Sequence, residues 1–374
     1  MKEFSKYIGM DVHKESIVVG IADARGGPPR YWGEIANRPE EVRRLLVQLD
    51  GPDQRLQFCY EAGPCGYGLY RQLVEAGYAC TVVAPGLIPR KPGQRVKTDR
   101  RDCLSLASLD RAGELTPVWV PDAAQEAMRD LSRAREDLMI QDKQLRQKLG
   151  GFLLRHGRRF SGRSAWTQAY WRWLEKERFD SPYQQIVMEE YADAVRQAQA
   201  RMAGLEKQLH EAAEDWSLGE AARALTALRG IKLTAAITLL AELDDISRFE
   251  NPCQLMGYVG IVPSESSSGT KRRQGGLTKA GNPHARRMLF ECAWAYRFPA
   301  RRTYVIQRRV EQASPAVQAI SWKAQKRLCG RFRRLTERGL IPTKAVTAVA
   351  RELCGFIWAV VCEVQRPSGL PASA

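Results

Sequence analysis

A mixed α/β domain, a long helical middle and a mainly α-helical carboxyl part make up the fold class this sequence predicts. Three observations predict it. β-rich runs alternate with helical spacing up to about residue 122. Apolar residues then recur every seven positions through charged sequence, and from residue 216 apolar helices are broken by glycine and basic loops. The expected divisions are 1–122, 123–215 and 216–374, in keeping with roughly 100–200 residues per domain.

The elements follow in order. KYIGMDV and SIVVGIAD read as strands joined by a polar turn, RYWGEIA as a third strand, and PEEVRRLLVQLD as a helix with Val42, Leu45, Leu46 and Leu49 on one face. Next come the strand LQFCYEA, the helix GYGLYRQLVEAG, the strand YACTVVAP, a basic loop APGLIPRKPGQRVKTD and a helix through CLSLASLDRAG. The order βββαβαβα is that of an RNase H-like mixed sheet, an order several α/β folds share.

In the middle, Leu131, Leu138, Leu145 and Phe152 form one heptad stripe, and Val195, Ala198, Met202, Leu205 and Leu209 form another. Two helices paired as an antiparallel coiled-coil hairpin account for both. Between them, RHGRRFSGRSAWTQAYWRWLEKERF interleaves Arg with Trp and Tyr. Two readings stay open: a base-stacking segment, or a helix turn anchored by aromatics. From Trp216, two apolar helices hinge at Gly230 and resemble a helix-hairpin-helix, with Lys232 where that module usually has a second glycine. Lys232 is therefore a candidate phosphate contact. Lys323, Lys326, Arg327, Arg331, Arg333 and Arg334 line a later basic helix, and a PSGLPASA tail is expected to fray.

Lys plus Arg number 58 against 42 Asp plus Glu, a formal charge of +16 that points to a polyanionic partner, most often nucleic acid. The nine cysteines form no CxxC pair and read as reduced core thiols. The amino end lacks an apolar signal region, and CGFIWAVVC is shorter than the ~18 residues a membrane span needs. A cytoplasmic protein without a membrane partner is expected.

Asp11 closes the first apolar run and Glu61 closes LQFCYE, on strands this fold makes neighbours. Asp99 and Asp102 lie three apart, on one face of a helix start. Each acid alone reads as a surface charge or helix cap. Together they form a cluster needing a cation, and all-oxygen ligands favour Mg²⁺ or Mn²⁺. Two such ions about 3.5–4 Å apart clamp both oxygens of a phosphodiester under displacement.

The stretch VPSESSSGTKRRQGGLTKAGNPHARR sets Ser266, Ser267 and Ser268 among Lys271, Arg272, Arg273, Lys279, Arg286 and Arg287. A solvated loop is one reading; a nucleophilic hydroxyl in a phosphate groove is the other. No GxSxG elbow or GxxxxGK[ST] loop is present.

YIGMDVHK, CYEAGPCGYGLY, KTDRRDCLSLA and QLMGYVGIVPSESSSGTKRRQGGLTKAGNPHARRMLFECAW resemble the DEDD transposases of the insertion-sequence one-ten family, relatives of the Piv-type DNA invertases. The resemblance runs across nearly the whole chain. It implies a RuvC-like (RNase H-like) domain, a coiled coil and a transposase domain with a catalytic serine. It further implies a non-coding bridge RNA pairing with target and donor DNA, and a homo-oligomer, dimer to tetramer, in which one subunit's acids work with another's serine. The family's tetrad falls on Asp11, Glu61, Asp99 and Asp102, and its serine, which precedes a glycine, on Ser268, with Ser267 the runner-up. Lys326, Arg327 and Arg331 join the loop cations as candidate nucleic-acid contacts.

The reading is an RNA-guided recombinase, nucleoid-associated, forming a phosphoserine-linked DNA end. Its rivals are a metal-only junction endonuclease and an inactive nucleic-acid-binding scaffold.

Overall fold

The computed structural model describes residues 4–51, 54–89, 98–269 and 271–365; most of the basic loop before Thr98 and the PSGLPASA tail lie outside them. The chain divides into two compact units, 1–120 and 121–374.

In the first unit, alternating apolar residues form β1 (Lys6–Val12), β2 (Ser16–Asp23) and β3 (Arg30–Ala36), followed by α1 (Pro39–Leu49), β4 (Leu56–Glu61), α2 (Gly68–Glu75), β5 (Ala79–Val83) and α3 (Asp99–Ala112). The sheet order is β3-β2-β1-β4-β5. β1 pairs antiparallel with β2 and β2 with β3, whereas β1–β4 and β4–β5 are parallel. This mixed sheet is consistent with an RNase H-like domain. Ile8, Met10, Ile17, Phe58 and Tyr60 fill its core with the buried face of α1.

Helix α3 crosses β1 and β2 at close range because both offer glycine at the crossing. A Cβ at Gly9 would overlap the Cys103 carbonyl oxygen, and one at Gly20 would come within 3.0 Å of the Cys103 backbone. Without side chains there, the helix backbone rests on the sheet.

The second unit begins with α4 (Ala123–Arg155), α5 (Gln168–Leu174) and α6 (Pro182–Ala212). α4 and α6 pack antiparallel, as the pairs Phe152–Tyr191, Asp142–Gln199 and Arg135–Glu206 establish. On α4, however, Leu131 and Leu145 are half-buried, while Gln125, Ser132, Glu136 and Asp142 are buried. The Arg/Trp segment turns its rings inward: Phe160, Trp166, Tyr170, Trp173 and Phe179 pack around Phe152 and Leu174. Those rings anchor the hairpin end.

There follow α7 (Gly219–Leu225), α8 (Leu233–Leu243), α9 (Pro252–Val259), the hairpin β6 (Pro263–Glu265) with β7 (Gln274–Leu277), α10 (Pro283–Ala293), α11 (Tyr304–Glu311), α12 (Pro315–Glu337) and α13 (Pro342–Gln365). α13 is long and apolar enough to cross a membrane, yet it packs against α7, α9, α10 and α12 and buries nine residues there, as a core helix does. All nine cysteines are free.

Candidate active site

Parallel pairing of β1 with β4 sets Met10 opposite Tyr60. Asp11 and Glu61 each come one residue later, so both carboxylates stand at the carboxyl ends of adjacent parallel strands, the edge where α/β sheets place ligands. Both are half-buried. The turn after β1 brings His13 back: its Nε2 lies 3.4 Å from Asp11 Oδ2 and 3.5 Å from Asp99 Oδ2.

Asp99 opens α3, but it is not the cap. Thr98 has extended backbone angles, and its side chain accepts the Arg101 N–H at 3.4 Å. That leaves Asp99 and Asp102 as the first and fourth helical residues, on one face and near the positive end of the helix dipole. Asp11, His13 and Asp99 each offer a ligand atom, all within 4.8 Å of one another. Glu61 and Asp102 lie outside that group. Two carboxylates and an imidazole suit a divalent cation, and the imidazole departs from an all-oxygen set. His13 escaped notice in the sequence; its signal was its place two residues after Asp11, in the turn that leaves β1.

The serine stretch forms the β6–β7 hairpin. Ser268 and Lys271 exchange backbone hydrogen bonds at 3.1 Å in both directions, and Gly269 supplies the left-handed turn with φ +58°. Of the three hydroxyls, that of Ser267 alone makes a hydrogen bond among the described residues. Ser267 Oγ donates to Glu265 Oε1 at 2.8 Å, and Arg272 lies 3.2 Å from the same carboxylate. These donors hold the Glu265 carboxyl below its usual range. Among the described residues the Ser268 hydroxyl makes no hydrogen bond. Lys271 and Arg273 are exposed on the same hairpin, and Lys279 is exposed at its base.

The hairpin's base is clamped. Gly260 and Gly281 have φ of +72° and +77°, and a Cβ at either would overlap Ala280 or Tyr258 backbone. Lys279 takes φ +53°, a strained value for a residue with a side chain. Arg286 Nη1 donates to the carbonyls of Val259 and Ala280, at 2.8 and 3.1 Å. Asn282 caps α10 through Oδ1, and its Nδ2 donates to Glu242 Oε2. Burial pushes the Glu242 carboxyl up, but donors from Arg133 and Asn282 outweigh it and hold it below its usual range. Arg287 pairs with Glu136 and Glu291. Arg286 thus braces the hairpin base, and Arg287 ties α10 to α4. Arg327 and Arg331 share Glu352, whereas Lys326 is exposed and Lys232 stands exposed immediately before α8. Sequence reasoning missed the buried Glu136 and Glu242, because ionised residues on amphipathic helices read as solvent-facing.

Residues 8–157 match the DEDD transposase family of the IS110 group, and residues 222–306 match the transposase IS116/IS110/IS902 family. A protein of Sinorhizobium fredii named "Putative transposase y4qE" is 47% identical over 361 residues, 96% of this chain and 89% of its own. The "Transposase for insertion sequence element IS1533" of Leptospira borgpetersenii is 30% identical over 332 residues, 88% of this chain and 96% of its own.

Proposed function

This chain belongs to the IS116/IS110/IS902 transposase family, enzymes that cut and join DNA, and from that premise we propose an RNA-guided recombinase using Asp11, Glu61, Asp99 and Asp102 with Ser268 as nucleophile. The observation that carries the reading is the meeting of Asp11, His13 and Asp99 at the end of β1, with Glu61 at the end of the neighbouring strand. A divalent cation held there, Mg²⁺ or Mn²⁺, would supply charge neutralisation at a phosphodiester.

Asp11 and Asp99 would hold the ion, with Glu61 and Asp102 completing the set and His13 orienting the carboxylates. Ser268 Oγ attacks the phosphorus. The Oγ–P bond forms, the bond from phosphorus to the neighbouring nucleotide's oxygen breaks, and the proton lost by Ser268 Oγ ends on that oxygen, which leaves as a hydroxyl. A second strand's hydroxyl then attacks the phosphoserine, restoring Ser268 and joining the strands. Lys271 and Arg273, on the same hairpin as Ser268, hold the phosphate and stabilise the charge developing on it, and Lys279 at the hairpin base adds to the positive field. The bond energy stays in the covalent link, so exchange needs no nucleotide cofactor. The free hydroxyl of Ser268 supports it over Ser267, whose proton goes to Glu265.

The guide RNA and the homo-oligomer rest on the resemblance, and the +16 charge accords with two nucleic-acid partners. With ~6–10 phosphates contacted, affinity should fall roughly 10³–10⁵-fold between about 50 and 200 mM salt.

The test uses protein co-purified with the element's RNA, Mg²⁺ and junction DNA, resolved on a denaturing gel. Protease-sensitive DNA adducts in the wild type and Ser267→Ala, lost in Ser268→Ala and Asp11→Asn, are expected. Cut ends without adduct in both serine variants would make the chain a metal-dependent nuclease.

A further inference from the structure

The arginines of the second unit fall into two groups. Many along the helices have carboxylate partners, such as Arg133 with Glu242 and Arg327 with Glu352. Arg297, Arg301 and Arg302, which precede α11, and Arg308 in its last turn have none among the described residues. Three of them lie over aromatic rings instead. Arg297 is 4.6 Å from the Phe298 centroid, Arg302 4.9 Å from that of Trp322, and Arg308 5.8 Å from that of Tyr304. Lys326 shares Trp322 at 5.8 Å.

Two of those rings face solvent: Phe298 is 49% and Tyr304 76% exposed. The backbone beneath them is fixed. Arg229 donates to the Pro299 carbonyl at 2.8 Å, the Arg301 N–H donates to buried Gln325 at 2.7 Å, and Thr303 caps α11. Exposed rings on a rigid mount, among cations without counter-charges, suit a ligand with flat faces and regular negative charge. Unpaired nucleic acid has both, whereas a duplex hides its base faces in the stack.

We propose that the surface from Phe298 to Tyr304, with Trp322 beside it, binds an unpaired segment of nucleic acid. A base stacks on Tyr304, and phosphates meet Arg301, Arg302 and Arg308. The inference rests on the preceding reading only in taking nucleic acid as ligand; neither the carboxylates nor Ser268 enters it.

The test measures fluorescence anisotropy with the full chain in EDTA, so that no strand is cut. Probes are labelled single-stranded DNA and RNA of about 20 nucleotides, long enough for several stacked bases, and the matching DNA duplex. Tyr304→Ala should weaken single-strand binding about 5- to 150-fold, equivalent to ~1–3 kcal/mol for one stacked base. Tyr304→Phe should retain it, and duplex affinity should stay within about twofold, there being no base face to lose. The single strand that loses more, DNA or RNA, identifies the natural ligand. Unchanged single-strand affinity in Tyr304→Ala overturns the proposal, and so does an equal loss on the duplex. The outcome does not depend on whether Ser268 forms an adduct.

Discussion

His13 Nε2 lies 3.5 Å from the Asp99 carboxylate, tying the turn after β1 to the first residue of α3. Both side chains are largely exposed, at 47% and 59%, so the contact matters more for the site than for stability. His13→Gln should fold with unchanged thermal stability and bind Mn²⁺ about 10- to 100-fold more weakly, as loss of an orienting partner does. Isothermal titration with Mn²⁺ reads this directly. Unaltered affinity would remove His13 as an orienting partner of the carboxylates.

Gly9 and Gly20 carry α3 at different clearances. Gly9→Ala forces a methyl against the Cys103 carbonyl and the Ala107 N–H, both backbone, whereas at Gly20 the nearest atoms stand at 3.0 Å. Overpacking costs about 1–3 kcal/mol, and Gly9→Ala belongs at or above the upper end. Melting curves should rank wild type above Gly20→Ala above Gly9→Ala. The reverse order of the two variants would contradict the close crossing.

Arg133 holds the Glu242 carboxylate with two bonds, Nε to Oε1 at 2.7 Å and Nη2 to Oε2 at 2.9 Å. Glu242 is 1% exposed, so Arg133→Ala leaves a buried charge with only partial compensation from Asn282 and Arg129. A loss of about 2–4 kcal/mol is expected in denaturant melts, somewhat under the range for fully buried pairs because Arg133 is half open to water. Adding Glu242→Gln should recover part of it.

Asp110 is half-buried near the end of α3, and its Oδ2, which is shut off from solvent, has no hydrogen-bond partner among the described residues. Burial raises its carboxyl to about 6, against opposing hydrogen bonds from Cys59 and Gln57. Between about pH 4 and 6 the folded state therefore binds more protons than the unfolded one. Asp110's contribution is favourable below about pH 4 and is lost as pH rises through about 6. The gap of roughly two pH units corresponds to about 3 kcal/mol at most. Asp110→Asn should raise the melting temperature at pH 7.5 and leave it little changed at pH 4.

Asp11 and Glu61 were legible because a carboxylate closing an apolar β run marks a strand end, and the strand order makes those ends neighbours. Asp99 was legible as a helix start and a member of the acid cluster, but not as a residue free of capping, since the TDRRD pattern offers two caps and only the backbone angles select Thr98. The α4 stripe misled in part. Leu131 and Leu145 are half-buried because α4 also packs on α8, where Ser132 meets Thr238 at 3.0 Å and Gln125 reaches the Leu240 carbonyl at 2.7 Å. Heptad spacing sees one partner helix; burial of polar residues at other positions requires knowing the second.

The crossing of α3 over Gly9 also bears on how copies of this gene should be judged alive or dead. Any single-base change that alters a glycine codon adds at least a Cβ, so position 9 has no harmless coding neighbour. A copy retaining all four acids and Ser268 but carrying alanine there would look intact to a motif search and yet hold Asp99 and Asp102 away from Asp11. Surveys of decayed elements therefore gain from scoring this glycine beside the acids.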